Sequence, residues 1–180
     1  MIGADRLPAE EYILSDGSSI RMRPLVSADA DEIVRGFAEL SPETRYRRFL
    51  HNFDHLKKEH VAYLSEIDGV RHLAWAAAEN QSNHGIAIAR SIQEPQSPDT
   101  AEYAITVVDA WQGRGVGKLL TRSLHRDAWN HGIRFWRATM FADNVPVQRI
   151  ILACAEEISR RPEDRGAVEI VYRLLSPTTF

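Results

Sequence analysis

The residues with the most definite chemical content in this chain run from Val107 to Lys118, VVDAWQGRGVGK in one-letter code. Gly113, Gly115 and Gly117 alternate there, and a backbone without Cβ atoms lets a ligand approach closely. The segment before them reads as a strand. The segment after carries a helical stripe of Val116, Leu119, Leu120, Ser123, Leu124 and Ala128. The first amides of a helix have no partner within it and lie at the positive end of its dipole. Gln112 to Lys118 therefore form a main-chain site for an anion, phosphate above all, with Arg114 and Lys118 adding charge. Spacing narrows the ligand. A Mg-nucleotide P-loop fails, because Gln112 stands where its first glycine belongs and Leu119 follows Lys118. The dinucleotide fingerprint fails as well, because Lys118 occupies the place of its third glycine. What remains is Q-x-x-G-x-G, spelled by Gln112, Gly115 and Gly117. A loop that merely turns a strand into a helix is the plain alternative, but strand before and helix after is the context a phosphate loop requires.

A second chemical candidate is Glu102, early on the strand that leads to this loop. An amine nucleophile must lose its proton before it attacks, and a carboxylate within reach serves as general base. Taken alone, Glu102 reads better as an exposed strand-edge glutamate that only aids solubility. Other reactive types read as structural. Cys154 sits beside Leu152 and Ala153 with no histidine near it, as a small core residue would. His51 and His55 have helical spacing, but Asn52-Phe53-Asp54 breaks a helix and no third ligand is evident, so no metal is expected. Trp111, Trp129 and Trp136 read as packing residues. Arg45, Arg47 and Arg48 form either a solvated helix face or a contact to an acceptor or a cofactor phosphate.

The elements that must position these residues follow from pattern. A short strand spans Ile20 to Pro24, and helices are expected near Ala28 to Glu39, from Pro42, and over Asp54 to Ile67. His72 to Glu79 and Gly85 to Ile92 read as a hairpin across Asn80-Gln81-Ser82-Asn83. Glu94 to Thr100, with two prolines, reads as a loop, and Ala101 to Val108 as a fourth strand. After the glycine loop come a helix ended by Gly132, a fifth strand over Ile133 to Phe141, a helix over Asn144 to Glu157 and a last strand over Val168 to Leu175. Early helices, a run of strands and then alternation describe a single α/β (α+β) domain, residues 18–180, with helices on both faces of a mixed sheet, preceded by a polar extension, residues 1–17.

Composition agrees with one globular domain: 180 residues, 44% hydrophobic and 26% charged. A formal net charge of −3 argues against nucleic acid as the main partner. One cysteine excludes an intrachain disulfide and suits a reducing compartment. With no secretory signal and no membrane-length apolar run, the expectation is a cytoplasmic protein without a membrane partner.

The Q-x-x-G-x-G loop resembles the acetyl-CoA motif of the GNAT superfamily of N-acetyltransferases, and the likeness extends from about Ile20 to Leu175. Ile20 to Pro24 resembles that family's opening strand and Ala101 to Val107 its fourth. Leu40 to Phe49 and Ala101 to Ala104 are similar to the catalytic domain of bacterial Pat-type protein lysine acetyltransferases. The resemblance implies a mostly antiparallel sheet with a splay between its fourth and fifth strands. It implies acetyl-CoA as co-substrate, with the pyrophosphate on Gln112, Gly113, Arg114, Gly115, Val116, Gly117 and Lys118. The pantetheine arm would lie along Ile105, Thr106 and Val107, and Asn144 would sit after the fifth strand. It further implies Glu102 as general base and direct attack by a primary amine, of a protein lysine first and of a small molecule as the alternative. A non-catalytic CoA-binding module is a third reading, and a homodimer stays open. The tyrosine acid used by many such enzymes would fall near Ile151, where no tyrosine stands, and Ala155 and Glu156 replace the family's usual Gly-Phe pair.

Overall fold

The computed structural model describes residues 9–52 and 54–177. Eight strands make one sheet: β1 (Glu10–Ile13), β2 (Ser19–Pro24), β3 (His72–Glu79), β4 (Gly85–Glu94), β5 (Ser97–Val107), β6 (Phe135–Phe141), β7 (Ala155–Pro162) and β8 (Ala167–Leu174). Their spatial order is β1-β2-β3-β4-β5-β6-β8-β7. Every neighbouring pair is antiparallel except β5 with β6. The helices are α1 (Ala30–Ala38), α2 (Pro42–Phe49), α3 (Lys58–Ser65), α4 (Val116–Asn130) and α5 (Val145–Leu152). The fourth and fifth strands expected from the sequence are β5 and β6 here.

The two faces of the sheet bury different stripes. Val116, Leu120, Leu124 and Ala128 recur at helical spacing and bring α4 down onto β3, β4 and β5. Beneath them lie Ile20, Met22, Ala77, Ala89 and Tyr103, inward-facing residues of the adjacent strands β2 to β5. On the opposite face, Ile33 of α1 and Leu64 of α3 pack with Leu25 and Ala74. Fully buried Trp136 satisfies its indole N–H on Ser91 Oγ at 3.1 Å, and the buried hydroxyls of Tyr103 and Thr121 bond each other at 2.7 Å. Between β2 and α1, Arg23 grips buried Asp29 through two hydrogen bonds of 2.8 and 2.7 Å. No helix of the described residues is long and apolar enough to cross a membrane.

Three elements differ from the sequence expectation. Within the polar stretch before residue 18, Glu10–Ile13 forms an edge strand on β2, held to α4 by Glu10 with Arg126 and Ser123. Glu94 to Thr100 is not a loop: β4 runs to Glu94 and β5 starts at Ser97, with only Pro95 and Gln96 turning between them. Pro98 is accommodated because the ladder is irregular there, passing from Gln93 with Ala101 to Glu94 with Ser97. The helix expected to reach Glu157 stops at Leu152, and Ala155–Pro162 becomes the edge strand β7. All of β7 beyond Ala155 is exposed, so it lacks the two-residue apolar alternation that reveals a half-buried strand.

Candidate active site

The parallel ladder between β5 and β6 is short. It pairs Thr100 with Phe135, Ala101 with Trp136 and Glu102 with Arg137, and then stops. Beyond it β5 keeps only β4 as partner and β6 only β8, and the two strands diverge. A cleft of about 760 Å³ opens between them, lined by Ala104 to Val107 on one side and Ala138 to Met140 on the other. Ile105, Thr106 and Val107 thus all border it. Val108 gives its N–H to Ile86 on the β4 side. Strand alternation then turns the main-chain groups of Val107 and of Ile105 toward the cleft. Such an edge is suited to an extended ligand that adds main-chain-like hydrogen bonds.

At the wide end the glycine loop closes the cleft. Gly113 (φ 74°) and Gly115 (φ 92°) both occupy the left-handed region, which a Cβ would strain. Gly115 is the N-cap of α4 and supplies no side-chain cap, so the first amides of a 15-residue helix face outward unbonded by any capping side chain. Gly117 serves packing instead. A Cβ there would come within 3.0 Å of Ile150 Cδ1 and 3.3 Å of Ile105 Cδ1, wedging α4 away from α5 and β5. Gln112, Gly113, Gly115, Val116, Gly117 and Lys118 all line the cleft, as does Asn144 at the start of α5. The Gln112 amide folds inward and donates to the Val107 carbonyl at 3.1 Å. Arg114 is different. Its guanidinium turns over the Trp111 ring toward Asp16 at 3.3 Å, so it offers the cleft backbone rather than charge.

Helix α2 straddles the splay, a role that short-range sequence signals do not reveal. At its N-cap, Ser41 donates its N–H and hydroxyl to Asp109 at 2.9 and 2.7 Å, and the Thr44 hydroxyl adds a third bond at 2.8 Å. Burial pushes the Asp109 carboxyl up, yet these donors hold it below the usual range. At its far end, Arg47 reaches Asp143 at 2.9 Å and Tyr46 stacks on Phe141 with ring centres 5.0 Å apart. One short helix is thereby tied to the end of β5 and to the end of β6.

Glu102, the last residue of β5 that pairs with β6, lines this cleft and also a side pocket of about 220 Å³. Arg48, Tyr63, Arg90 and Ile92 lie around that pocket, between α2, α3 and β4. The three arginines of α2 therefore diverge. Arg45 bonds the carbonyls of Ala38 and Asp54, Arg47 pairs with Asp143, and Arg48 points inward toward Glu102. Burial, with the nearby charge of Arg48 adding to it, lowers Arg90 to about 9. Burial also raises the Tyr63 hydroxyl, and the Glu102 charge adds to this. On α5, Val147 and Ile150 face the cleft while Ile151 is fully buried. Cys154 is buried with its thiol pushed up to about 12 by burial. Among the described residues, no group of three His, Cys, Asp or Glu side chains stands together for a metal ion.

Comparison with known proteins gives a consistent result. Residues 19–155 match the model of the Acetyltransferase (GNAT) domain. The chain is 33% identical over 135 residues to Acetyltransferase Pat of Mycolicibacterium smegmatis, covering 75% of this chain and 40% of Pat. It therefore spans less than half the length of that relative. It is 28% identical over 166 residues to Acetyltransferase PA5475 of Pseudomonas aeruginosa, covering 89% of this chain and 86% of that one. The crystal structure of the GNAT domain of S. lividans PAT superposes with a TM-score of 0.80 at 28% identity, over 92% of this chain and 97% of that domain. With a family model matched over most of its length and a solved domain sharing its fold, the chain belongs to the GNAT acetyltransferase family.

Proposed function

We propose that the chain moves the acetyl group of acetyl-CoA to a primary amine, a protein lysine in the first instance, by direct attack with Glu102 as general base. One observation carries the reading. The residue at which β5 stops pairing with β6 is a glutamate, and it borders both the cleft and a side pocket. A donor and an acceptor approaching from the two cavities would meet beside its carboxylate.

The chain's own groups fit the co-substrate. Main-chain amides from Gly113 to Lys118 suit a diphosphate, and the open edge of Ile105 and Val107 suits an extended arm with amide groups. The bound co-substrate supplies the thioester carbonyl that the amine attacks. Glu102 accepts the proton that an ammonium group, ordinarily with a pKa near 10.4, must lose. Apolar Val147 and Ile150 help line the cleft, and the departing sulfur takes its proton from water or leaves as thiolate.

The test is transfer of label from radiolabelled acetyl-CoA to a panel of proteins and small amines. Label on protein lysines, abolished or strongly reduced in Glu102→Gln, is the expected result. Label on small amines only would move the acceptor class. Tight CoA binding with no transfer to any acceptor would favour a sensing module. Undiminished transfer by Glu102→Gln would remove Glu102 from the role of base.

A further inference from the structure

The side pocket carries an excess of positive charge that the protein itself does not balance. Arg48 makes no hydrogen bond or ion pair among the described residues. It lies over the Phe49 ring at 4.9 Å, close enough to Glu102 to feel its charge. Arg90 is 5% exposed, deeper than almost any unpaired arginine. Its Nη1 donates to the Leu64 carbonyl at 3.0 Å and approaches His72 Nε2 at 3.4 Å, while Nη2 and Nε have no hydrogen-bond partner among the described residues. Cross-strand pairing sets Arg90 opposite Ala104 and Ile92 opposite Glu102, so both side chains stand on the face of the sheet that Glu102 occupies. Two guanidinium groups thus line a small cavity in which, among the described residues, Glu102 is the one carboxylate.

Leaving such charges half-buried and unpaired is costly unless a ligand completes them. A guanidinium fork matches the two oxygens of a carboxylate. We propose that Arg48 and Arg90 form a carboxylate subsite on the acceptor side of Glu102, so that the amine accepted is one presented beside a carboxylate. The subsite orients the acceptor: its anion docks on the arginines while its amine turns to Glu102. At about 220 Å³ the pocket is below the range of drug-sized ligand sites, and it suits one amino-acid-sized group. Two sources present this chemistry. One is an acidic residue beside the target lysine in a protein, the other the α-carboxylate of a free amino acid. This inference rests on the acyl-transfer reading above for its kinetic arm but not for its binding arm.

The experiment uses acceptor pairs that differ only by carboxylate against carboxamide. In one arm a lysine peptide carries a neighbouring Glu or Gln. In the other a free amino acid is compared with its amide. The expected result is that the wild-type protein favours the carboxylate member of at least one pair by tenfold or more in kcat/KM, and the favoured arm identifies the source. Arg48→Met should erase that preference, and Arg48→Lys should restore part of it. Arg90→Met is a second variant, used only where its melting curve shows a folded protein. Equal use of both members by the wild type, or an equal loss on both in Arg48→Met, would overturn the proposal. Binding of glutarate, a carboxylate without an amine, is followed by saturation-transfer NMR in parallel. Binding that is lost in Arg48→Met supports the subsite even if no acceptor is ever acetylated. That outcome would defeat the acyl-transfer reading alone. Glutarate that binds both proteins alike, or neither, defeats the subsite.

Discussion

Glu102 and Arg137 are the last partners of the parallel ladder between β5 and β6. The end of that ladder makes the cleft, and it sets the Glu102 carboxylate at the narrow end. Cavity and candidate base are therefore consequences of one backbone event rather than two separate features. Replacing Glu102 by Gln keeps the shape and removes the charge. The expected loss in kcat is on the order of 10²- to 10⁴-fold, with CoA affinity nearly unchanged. Stopped-flow turnover and calorimetry on the same preparation check both halves.

The phosphate loop predicts a different signature. Gly115 holds φ 92° at the N-cap of α4. An aspartate there adds backbone strain and sets a carboxylate against the bound anion. A penalty of roughly 2–3 kcal/mol corresponds to a rise in the Kd for CoA on the order of 30- to 150-fold. Gly115→Ala adds strain without charge and should fall between Gly115→Asp and wild type in a calorimetric titration. If Gly115→Asp bound CoA with wild-type affinity, the amides of this loop would not be the anion site.

The two ties of α2 differ in weight. Asp109 accepts three hydrogen bonds from Ser41 and Thr44. The Arg47–Asp143 pair is solvent-facing at 37% and 70% side-chain exposure. Asp109→Ala should cost about 1–3 kcal/mol in denaturant unfolding and raise KM for acetyl-CoA more than it lowers kcat, because one wall of the cleft loosens. Arg47→Ala should cost less than about 1 kcal/mol. Reversed magnitudes would mean that the helix is held from its far end.

Acid stability should depend on Asp29. Burial pushes its carboxyl up, but the Arg23 guanidinium and the Val26 N–H hold it below the ordinary 3.8. A depressed folded value means that this stabilisation is present above pH 3.8 and is lost as pH falls through the lower folded value. Asp29→Asn should therefore destabilise by roughly 2–4 kcal/mol at pH 7, with the gap to wild type narrowing toward pH 2. Urea titrations across that range read it directly.

Cys154 should be silent. With its thiol buried and pushed up to about 12, it should react with a disulfide reagent only at the rate at which the protein unfolds. Immediate colour in the native protein at pH 8 would contradict the burial described here.

Much of this site was legible in the sequence because its signals are local. Three alternating glycines, a strand that feeds them and a helix that leaves them fall within about thirty residues, and the periods of both elements are intact. What escaped the sequence is long-range or patternless. Asp109 lies 68 residues from Ser41, and Asp143 lies 96 residues from Arg47. No spacing rule links such pairs. Arg90 reads in sequence as one charge in an apolar strand, and only the packing of α2 and α3 over β4 makes it the floor of a pocket. Strand β7 was hidden for the opposite reason. An exposed edge carries charge at position after position, and the short α5 before it supplied apolar residues that ran the helical expectation onward. Arg114 illustrates a further limit: its charge beside the glycines suggested a phosphate contact, yet Asp16 and Trp111 draw it away.

The most direct measurement is a crystal structure of the protein with coenzyme A bound. The account predicts the diphosphate against the amides of Gly113 to Lys118 and the pantetheine arm between β5 and β6, its amides bonded to the main chain of Ile105 and Val107. The sulfur should end within a few residues of Glu102. Electron density for the cofactor elsewhere on the molecule, with the cleft between these strands closed by its own side chains, would contradict it.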